Sequence, residues 1–355
     1  MSSGYRSGRG GLIRVLVVDD SAYNRRVIGE MLTSIEGVEV VASACDGQEA
    51  LQMALDHKPD LITLDLEMPR MDGFSFLRLL MSRQPTPVII ISGYAKTANV
   101  FRALELGAID FVAKPTRAVA AALPLIRAEL AEKVALVRHV SPAQLKFRRP
   151  SVAPLAADVQ PRVVRGANKI VVVGASTGGP TALVRLFREL PTSLGAAVIV
   201  AQHMPPKFTR TFSERLDRIS PLQVREASGV HSLKIGQAWV CPGGQSVEIG
   251  ADASVLVRTA REDDRYVPSV DRLFESAATK FGARCLGVVL TGMGDDGCRG
   301  AKAVRERGGR VIVESIESAA IYGMPGAVER AGHADEVLPL REMAARIIAF
   351  ARGTF

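Results

Sequence analysis

Short apolar runs alternate with helix-period segments along the first third of the chain. Between residues 12 and 116 the runs LIRVLVV, VEVVA, LITL, PVIII and IDFVA are separated by segments such as NRRVIGEMLTSI and GFSFLRLLMS. Strands that alternate with amphipathic helices predict an α/β fold with a doubly wound parallel sheet. The segment AVAAALPLIRAELAEKVALVRHV predicts a last helix that Pro124 breaks or kinks early.

A second alternating pattern begins at Lys169, with the strand-like runs IVVV, AAVIVA, CLGVVL and RVIV. It predicts a second doubly wound parallel sheet, in which the less regular runs QAWV, QSVEIG and SVLVRT form a short antiparallel insertion. The segment between the two patterns carries four prolines and lacks sustained periodicity, which is typical of a linker. We therefore predict a disordered tail at 1–11, a first domain at 12–138, a linker at 139–168 and a second domain at 169–355.

The net charge of +8 lies mainly outside the two predicted domains. Residues 12–116 carry a net charge of −4 and residues 169–355 a net charge of +4, while the tail at 1–11 and the connector at 117–168 together carry +8. This distribution favours a solubilising spacer, or weak docking of the connector on an acidic partner, over nucleic-acid binding by a folded face. No apolar run approaches the roughly 18 to 20 residues of a membrane span, so we expect a cytoplasmic protein without membrane insertion.

The four cysteines are scattered along the chain. They show no CxxC spacing and have no histidine-rich tract beside them. This pattern argues against a structural zinc site or a disulfide framework.

Polar residues follow the strands of the first predicted sheet at the point where each strand ends. Asp19 and Asp20 follow the first strand, Asp65 follows the third, Ser92 ends the fourth, and Lys114 follows the fifth. The carboxyl ends of parallel strands meet at one edge of a sheet, so we expect these side chains to converge there. Clustered carboxylates suit Mg²⁺, and a lysine beside them would neutralise a phosphoryl group.

This arrangement resembles the receiver domain of response regulators. The resemblance covers residues 12–116 and implies that Asp65, in LITLDLEMPRMDG, is the phosphoacceptor. It also implies that Phe111 takes the place of the family's switch aromatic. The other residues that it assigns are Asp19, Asp20, Asp65 and the main-chain carbonyl of Glu67 for Mg²⁺, and Ser92 and Lys114 for the phosphoryl group.

The second domain opens with a strand, a glycine-rich turn and a helix, in KIVVVGASTGGPTALVRLF. Gly174, Ser176 and Gly178 form a GxSxG motif, in which glycines allow a tight turn that exposes the serine at a helix N-terminus. Main-chain amides at such a terminus can support an oxyanion. A glycine-rich turn with a serine that only caps the helix remains an equal alternative for this motif alone.

Two further groups strengthen the interpretation of Ser176 as a nucleophile. His203 follows the strand AAVIVA, and Asp295 and Asp296 follow the strand CLGVVL. If these strands are parallel in one sheet, a serine, a histidine and an aspartate converge on one crevice. The spacing does not choose between the two aspartates, and the order Ser, His, Asp differs from that of α/β-hydrolases.

The string GMGDDG also satisfies the GxGxxG spacing of dinucleotide-binding loops. Its two aspartates would place negative charge where a pyrophosphate binds, so a nicotinamide cofactor is disfavoured.

The strings GASTGGP, QHMPPKFTRTFSERL, PSVDRLF, LTGMGDDG and YGMPGAV resemble the methylesterase domain of chemotaxis protein-glutamate methylesterases, the CheB family, over residues 169–351. The resemblance implies that Ser176 attacks, that His203 is the general base and that Asp296 orients the histidine. Main-chain amides near Thr177 and Met293 are our hypothesis for the oxyanion hole. The chain departs from many relatives at Val267 and Glu314, where they carry arginine and glutamine, so we expect substrate-side contacts to differ.

The resemblance further implies a function. Glutamate methyl esters on chemoreceptors would be hydrolysed with release of methanol, and certain receptor glutamines deamidated, without a cofactor for hydrolysis. A chemotaxis histidine kinase would supply the phosphoryl group, and we expect a monomer whose unphosphorylated receiver covers the Ser176 crevice. The alternatives are a non-catalytic or a DNA-binding output domain, but the second domain lacks the compact helix-turn-helix pattern of the latter.

Overall fold

The structure is a computed structural model of the whole chain. It divides into two compact units, residues 1–147 and 148–355. The predicted tail and linker lie almost wholly outside the described residues, so the four predicted domain limits stay predictions. The residues that the structure describes are 11–93, 97–114, 123–135, 137 and 166–355.

In the described part of the first unit, five parallel strands form one sheet in the order β2-β1-β3-β4-β5. The strands are β1 Ile13–Val18, β2 Val38–Ala44, β3 Leu61–Leu64, β4 Val88–Ser92 and β5 Asp110–Ala113. The helices are α1 Ala22–Thr33, α2 Gly47–His57, α3 Gly73–Arg83, α4 Thr97–Glu105 and α5 Leu123–Ala135.

Local chemistry accounts for these elements. Strands β3 and β4 are buried along their whole length, as expected for parallel strands that helices cover on both faces. Ser21, Asp46 and Asp72 cap the first three helices by accepting hydrogen bonds from main-chain amides of the first turn. Pro124 is the second residue of α5, where proline is tolerated, so in the described residues it lies at the start of the helix rather than within it.

The second unit contains a seven-stranded parallel sheet in the order β15-β14-β13-β6-β7-β10-β8, counted over its described residues. Its strands are β6 Ile170–Ala175, β7 Ala197–Gln202, β8 Gln223–Glu226, β10 Gln237–Val240, β13 Cys285–Val289, β14 Arg310–Glu314 and β15 Glu336–Leu338. Its helices are α6 Gly179–Glu189, α7 Phe208–Ile219, α8 Val270–Phe281, α9 Cys298–Glu306, α10 Met324–Arg330 and α11 Leu340–Arg352, with a short 3₁₀ helix at Gly282–Arg284.

The predicted antiparallel insertion is only partly right. Strands β9 (Val230–Ser232), β11 (Gln245–Ile249) and β12 (Ser254–Thr259) do form an antiparallel sheet. The run QAWV does not join them, because β10 pairs in parallel with β7 and β8 in the main sheet. A four-residue apolar run carries no signal that distinguishes a parallel strand from an antiparallel one.

The fold confirms the predicted class, two doubly wound parallel-sheet units with a small antiparallel sheet in the second. In that second unit β6 lies between β13 and β7, because the chain adds strands on one side of β6 first and on its other side later. Ligand sites of open α/β sheets form at such a point, at the carboxyl ends of the strands. Within the described residues, every helix is too short or too polar to cross a membrane.

Candidate active sites

The first site lies where β1 and β3 end side by side in the first unit. Lys114 Nζ is 2.6 Å from Asp65 Oδ2 and 2.9 Å from Asp19 Oδ2. Asn24 donates from its side chain to Asp19 Oδ1 at 3.1 Å, a contact that the sequence pattern did not reveal. The lysine therefore links two buried carboxylates that the sequence places 46 residues apart.

Burial controls the ionisation of this cluster. It raises the pKa of the Asp65 carboxyl above its ordinary value, and the Lys114 ammonium only partly opposes that shift. Burial also disfavours the charged form of Lys114, but hydrogen bonds to Asp65 and Asp19 outweigh this effect and raise the pKa of the lysine. The charged lysine is thus held in place by both carboxylates.

The same site fits a divalent cation. Oxygen atoms of Asp19, Asp20 and Asp65 all lie within 4.8 Å of one another, and oxygen is the donor that Mg²⁺ prefers. A cavity of about 310 Å³ opens beside them. It is lined by Asp20, Asp65, Leu66, Glu67, Ser92, Gly93, Asn99 and Lys114.

Phe111 is buried at the edge of the sheet. Its ring lies 6.4 Å from that of Phe101 in an edge-to-face arrangement, and Lys133 Nζ lies 5.2 Å from its centroid. The assigned switch aromatic therefore occupies an inward position in this structure.

The second site begins at Ser176, which follows β6 and is half-buried. Its main-chain N–H donates to Thr291 O at 3.0 Å, so the serine loop is tied to the loop that follows β13. Gly178 has a φ of +79°, a conformation that favours glycine, and it turns the chain into α6. The glycine-rich motif therefore builds the predicted strand–turn–helix.

Gln202 holds the serine and histidine segments together. Its buried side-chain amide donates to Ser176 O at 2.9 Å and to His203 O at 3.0 Å. A Cβ on Gly179 would lie 2.1 Å from Gln202 Oε1, so only glycine leaves room for this contact. Gln202 was missed from the sequence, although a polar residue that ends the buried run AAVIVAQ was an available signal.

His203 contacts one of the two adjacent aspartates. Its Nε2 lies 2.8 Å from Asp296 Oδ2. The same oxygen accepts from Val270 N–H at 2.8 Å, and Asp296 Oδ1 accepts from Asp271 N–H at 2.9 Å. The N-terminus of α8 thus favours a negative charge on Asp296, and an accepting carboxylate assigns the proton of the neutral ring to Nε2 and the lone pair to Nδ1.

Asp295 has different neighbours. It is exposed, and its Oδ1 accepts from Tyr266 Oη at 3.1 Å and lies 3.3 Å from Arg265 Nη1. The structure thus separates the two aspartates, of which Asp296 is the one on the histidine.

The loop after β13 passes directly along the serine. A Cβ on Gly292 would lie 2.8 Å from Ser176 Cβ and 3.0 Å from Ser176 N. Met293 is the next residue along the chain. Thr291 Oγ1 donates to Thr177 O at 2.9 Å, so both residues of the hypothesised oxyanion hole belong to segments fixed by the Thr291 loop.

Glu314 lies beneath this loop and has no exposed surface. Its carboxylate accepts from Thr291 N–H and from the Ser318 hydroxyl, both at 2.9 Å. Burial raises the pKa of Glu314 to about 6. Because Glu314 has no exposed surface, its side chain supports the Thr291 loop, and the expectation that this position contributes a substrate-side contact is not met.

The fold and the two sites define a response regulator, in which a receiver unit precedes an α/β unit with a serine, histidine and aspartate site. Residues 15–122 match the response regulator receiver domain family, and residues 171–347 match the CheB methylesterase family. The chain belongs to the CheB family of protein-glutamate methylesterases/protein-glutamine glutaminases.

Similar proteins cover nearly the whole chain. Protein-glutamate methylesterase/protein-glutamine glutaminase 1 of Myxococcus xanthus is 46% identical over 345 residues, which are 96% of this chain and 98% of the relative. Enzyme 3 of that name from Geobacter sulfurreducens is 45% identical over 359 residues, which are 95% of this chain and 96% of the relative. The crystal structure of the Thermotoga maritima CheB methylesterase catalytic domain is 37% identical, with a TM-score of 0.49, and the match covers 51% of this chain and 97% of that one.

Proposed function

We propose that the protein is a phosphorylation-activated serine hydrolase that removes methyl groups from glutamate side chains of chemoreceptors and deamidates certain receptor glutamines. Family membership supports the reaction class. The observation that carries the assignment to residues is the 2.8 Å contact between His203 Nε2 and Asp296 Oδ2, beside a serine loop that Gln202 ties to the histidine.

In the proposed reaction Ser176 Oγ attacks the ester carbonyl, and Nδ1 of His203 takes the serine proton. Asp296 holds the imidazole and stabilises its positive charge. The main-chain amides of Thr177 and Met293 would donate to the oxygen that becomes negative in the tetrahedral intermediate. The imidazolium then protonates the leaving group, which is methanol from an ester or ammonia from a glutamine, and water releases the acyl group by the same steps.

The first unit would control when this reaction runs. A chemotaxis histidine kinase transfers a phosphoryl group to Asp65 in this proposal, and Ser92 and Lys114 contact it. Asp19, Asp20, Asp65 and the carbonyl of Glu67 would hold Mg²⁺, which would supply positive charge for the transfer. No cofactor is required for the hydrolysis itself, and we propose a cytoplasmic monomer.

A serine-directed covalent probe tests the site directly. We expect labelling at Ser176 in the intact protein, faster after treatment with a phosphodonor, and none in Ser176→Ala. Labelling of another residue, with Ser176 unmodified, would reassign the nucleophile. A chain that binds DNA and labels nowhere would support the rival output function, which the match of residues 171–347 to a methylesterase family disfavours.

The proposed inhibition by the first unit has its own test. The fragment 169–355 should hydrolyse methylated receptor without a phosphodonor, at a rate above that of the unphosphorylated full chain. A fragment that folds but works no faster than the full chain would contradict inhibition by the first unit.

A further inference from the structure

The imidazole of His203 is stacked on the phenol ring of Tyr266. The two ring centroids are 5.2 Å apart and the planes are inclined by only 6°. Tyr266 belongs to the segment between β12 and α8, so it reaches the histidine from outside the strand ends that supply Ser176 and His203. Parallel rings at this separation attract each other beyond their burial.

The phenol has a fitted place in the loop after β13. Tyr266 Oη donates to Asp295 Oδ1 at 3.1 Å. Burial, and then the charge of Asp295, raise the pKa of Tyr266, so the phenol keeps the proton that it donates. A Cβ on Gly294 would lie 2.3 Å from Oη, which means that the ring packs where only glycine leaves space.

We infer that Tyr266 is a positioning residue for His203, an inference that rests on the proposed function. Asp296 fixes the imidazole through Nε2, while Tyr266 covers one face of the ring and opposes its rotation. When the ring gains the serine proton, the π-face of Tyr266 also attracts the imidazolium. The adjacent aspartates then have separate tasks, since Asp296 contacts the histidine and Asp295 anchors the tyrosine.

The test compares steady-state methanol release by purified full-length variants on methylated receptor. Tyr266→Leu should lower kcat about tenfold with KM nearly unchanged, because it removes the stacked ring. Tyr266→Phe keeps the ring and should restore kcat to within about threefold of the parent. A rise in KM at constant kcat would make Tyr266 a substrate contact and overturn the inference, as would a Phe variant no better than Leu.

Asp295→Ala provides a second, milder probe. It should lower kcat a few fold in the parent and have no further effect in the Tyr266→Phe background, where the anchored hydroxyl is already gone. An equal loss in both backgrounds would contradict the anchoring role.

Phe355→Leu is the matched control for Tyr266→Leu. The ring of Phe355 lies near Arg310 at the amino end of β14, whereas Ser176 and His203 follow the carboxyl ends of their strands.

Ser176→Ala, measured in parallel, separates the two claims. If Ser176→Ala retains activity, the proposed function fails. If Ser176→Ala is inactive but the Tyr266 variants are as active as the parent, Ser176 remains the nucleophile and the positioning role of Tyr266 is wrong.

Discussion

Asp271 and Asp296 each cap the helix that begins beside the other. Asp296 accepts from the first two main-chain amides of α8, and Asp271, the second residue of that helix, accepts from Gly297 N–H at 2.9 Å and Gly300 N–H at 2.7 Å at the start of α9. The carboxylate on His203 is therefore held by its own helix contacts and by the fixed start of the next helix.

This exchange predicts that two substitutions at Asp271 differ in the size of their effects. Both of its hydrogen bonds end on Oδ1, so Asp271→Asn keeps them, whereas Asp271→Ala leaves two amides without their acceptor. We expect Ala to lower the free energy of unfolding by about 1 to 2 kcal/mol and to reduce kcat, and Asn to change either much less. Urea unfolding and methanol release measure the two effects, and equal losses in both variants would contradict the capping role.

Gln202 should matter for folding as well as for rate. Gln202→Ala removes the donor shared by Ser176 O and His203 O, and we expect a loss of about 1 to 3 kcal/mol in unfolding free energy and a lower kcat. Gln237→Ala is the matched control. Gln237 donates to Gln223 at the start of β10 in the seven-stranded sheet and bonds to neither Ser176 O nor His203 O. Loss of stability alone, with kcat unchanged, would show that Gln202 does not align the two segments.

Glu314 predicts a pH-dependent stability. Its folded pKa of about 6 exceeds its ordinary value of 4.5, so the folded state keeps a proton that the unfolded state loses first. The stability of the parent relative to Glu314→Gln should therefore be greatest at about pH 4 and fall by about 2 kcal/mol by about pH 8. Fluorescence of Trp239, the single tryptophan, reports unfolding of the second unit. A difference that does not vary with pH would contradict the raised pKa.

The receiver site predicts that metal and phosphate affect regulation but not basal hydrolysis. Removal of Mg²⁺ with a chelator should abolish phosphorylation of Asp65, because Asp19 and Asp20 would then hold no cation to supply positive charge for the transfer. Asp65→Asn should show the same basal methanol release as the parent and no increase with a phosphodonor. Basal release that falls with the chelator would place a metal in the hydrolysis.

The sequence was sufficient to predict two parallel-sheet units, with four strands of the second sheet, and the strand ends where the candidate sites lie. Short β-branched runs alternating with helical periods indicate a parallel sheet, and topology then brings Ser176 and His203 to adjacent strand ends. Spacing could not distinguish Asp296 from Asp295. The choice depends on which carboxylate accepts hydrogen bonds from the main-chain amides of α8.

Contacts made by loops were the hardest to anticipate. Tyr266 lies in a segment without periodicity, and only the structure brings its ring to His203. The direction of β10 was also missed, since neighbours in the sheet rather than its own four residues decide whether a short strand is parallel.

The most direct test of the account is methanol release from methylated chemoreceptor by the full-length protein and by Ser176→Ala, each with Asp65 phosphorylated to the same extent. We expect release by the parent and none above background by the variant. Release by Ser176→Ala at a rate near that of the parent would contradict the central claim that Ser176 is the nucleophile.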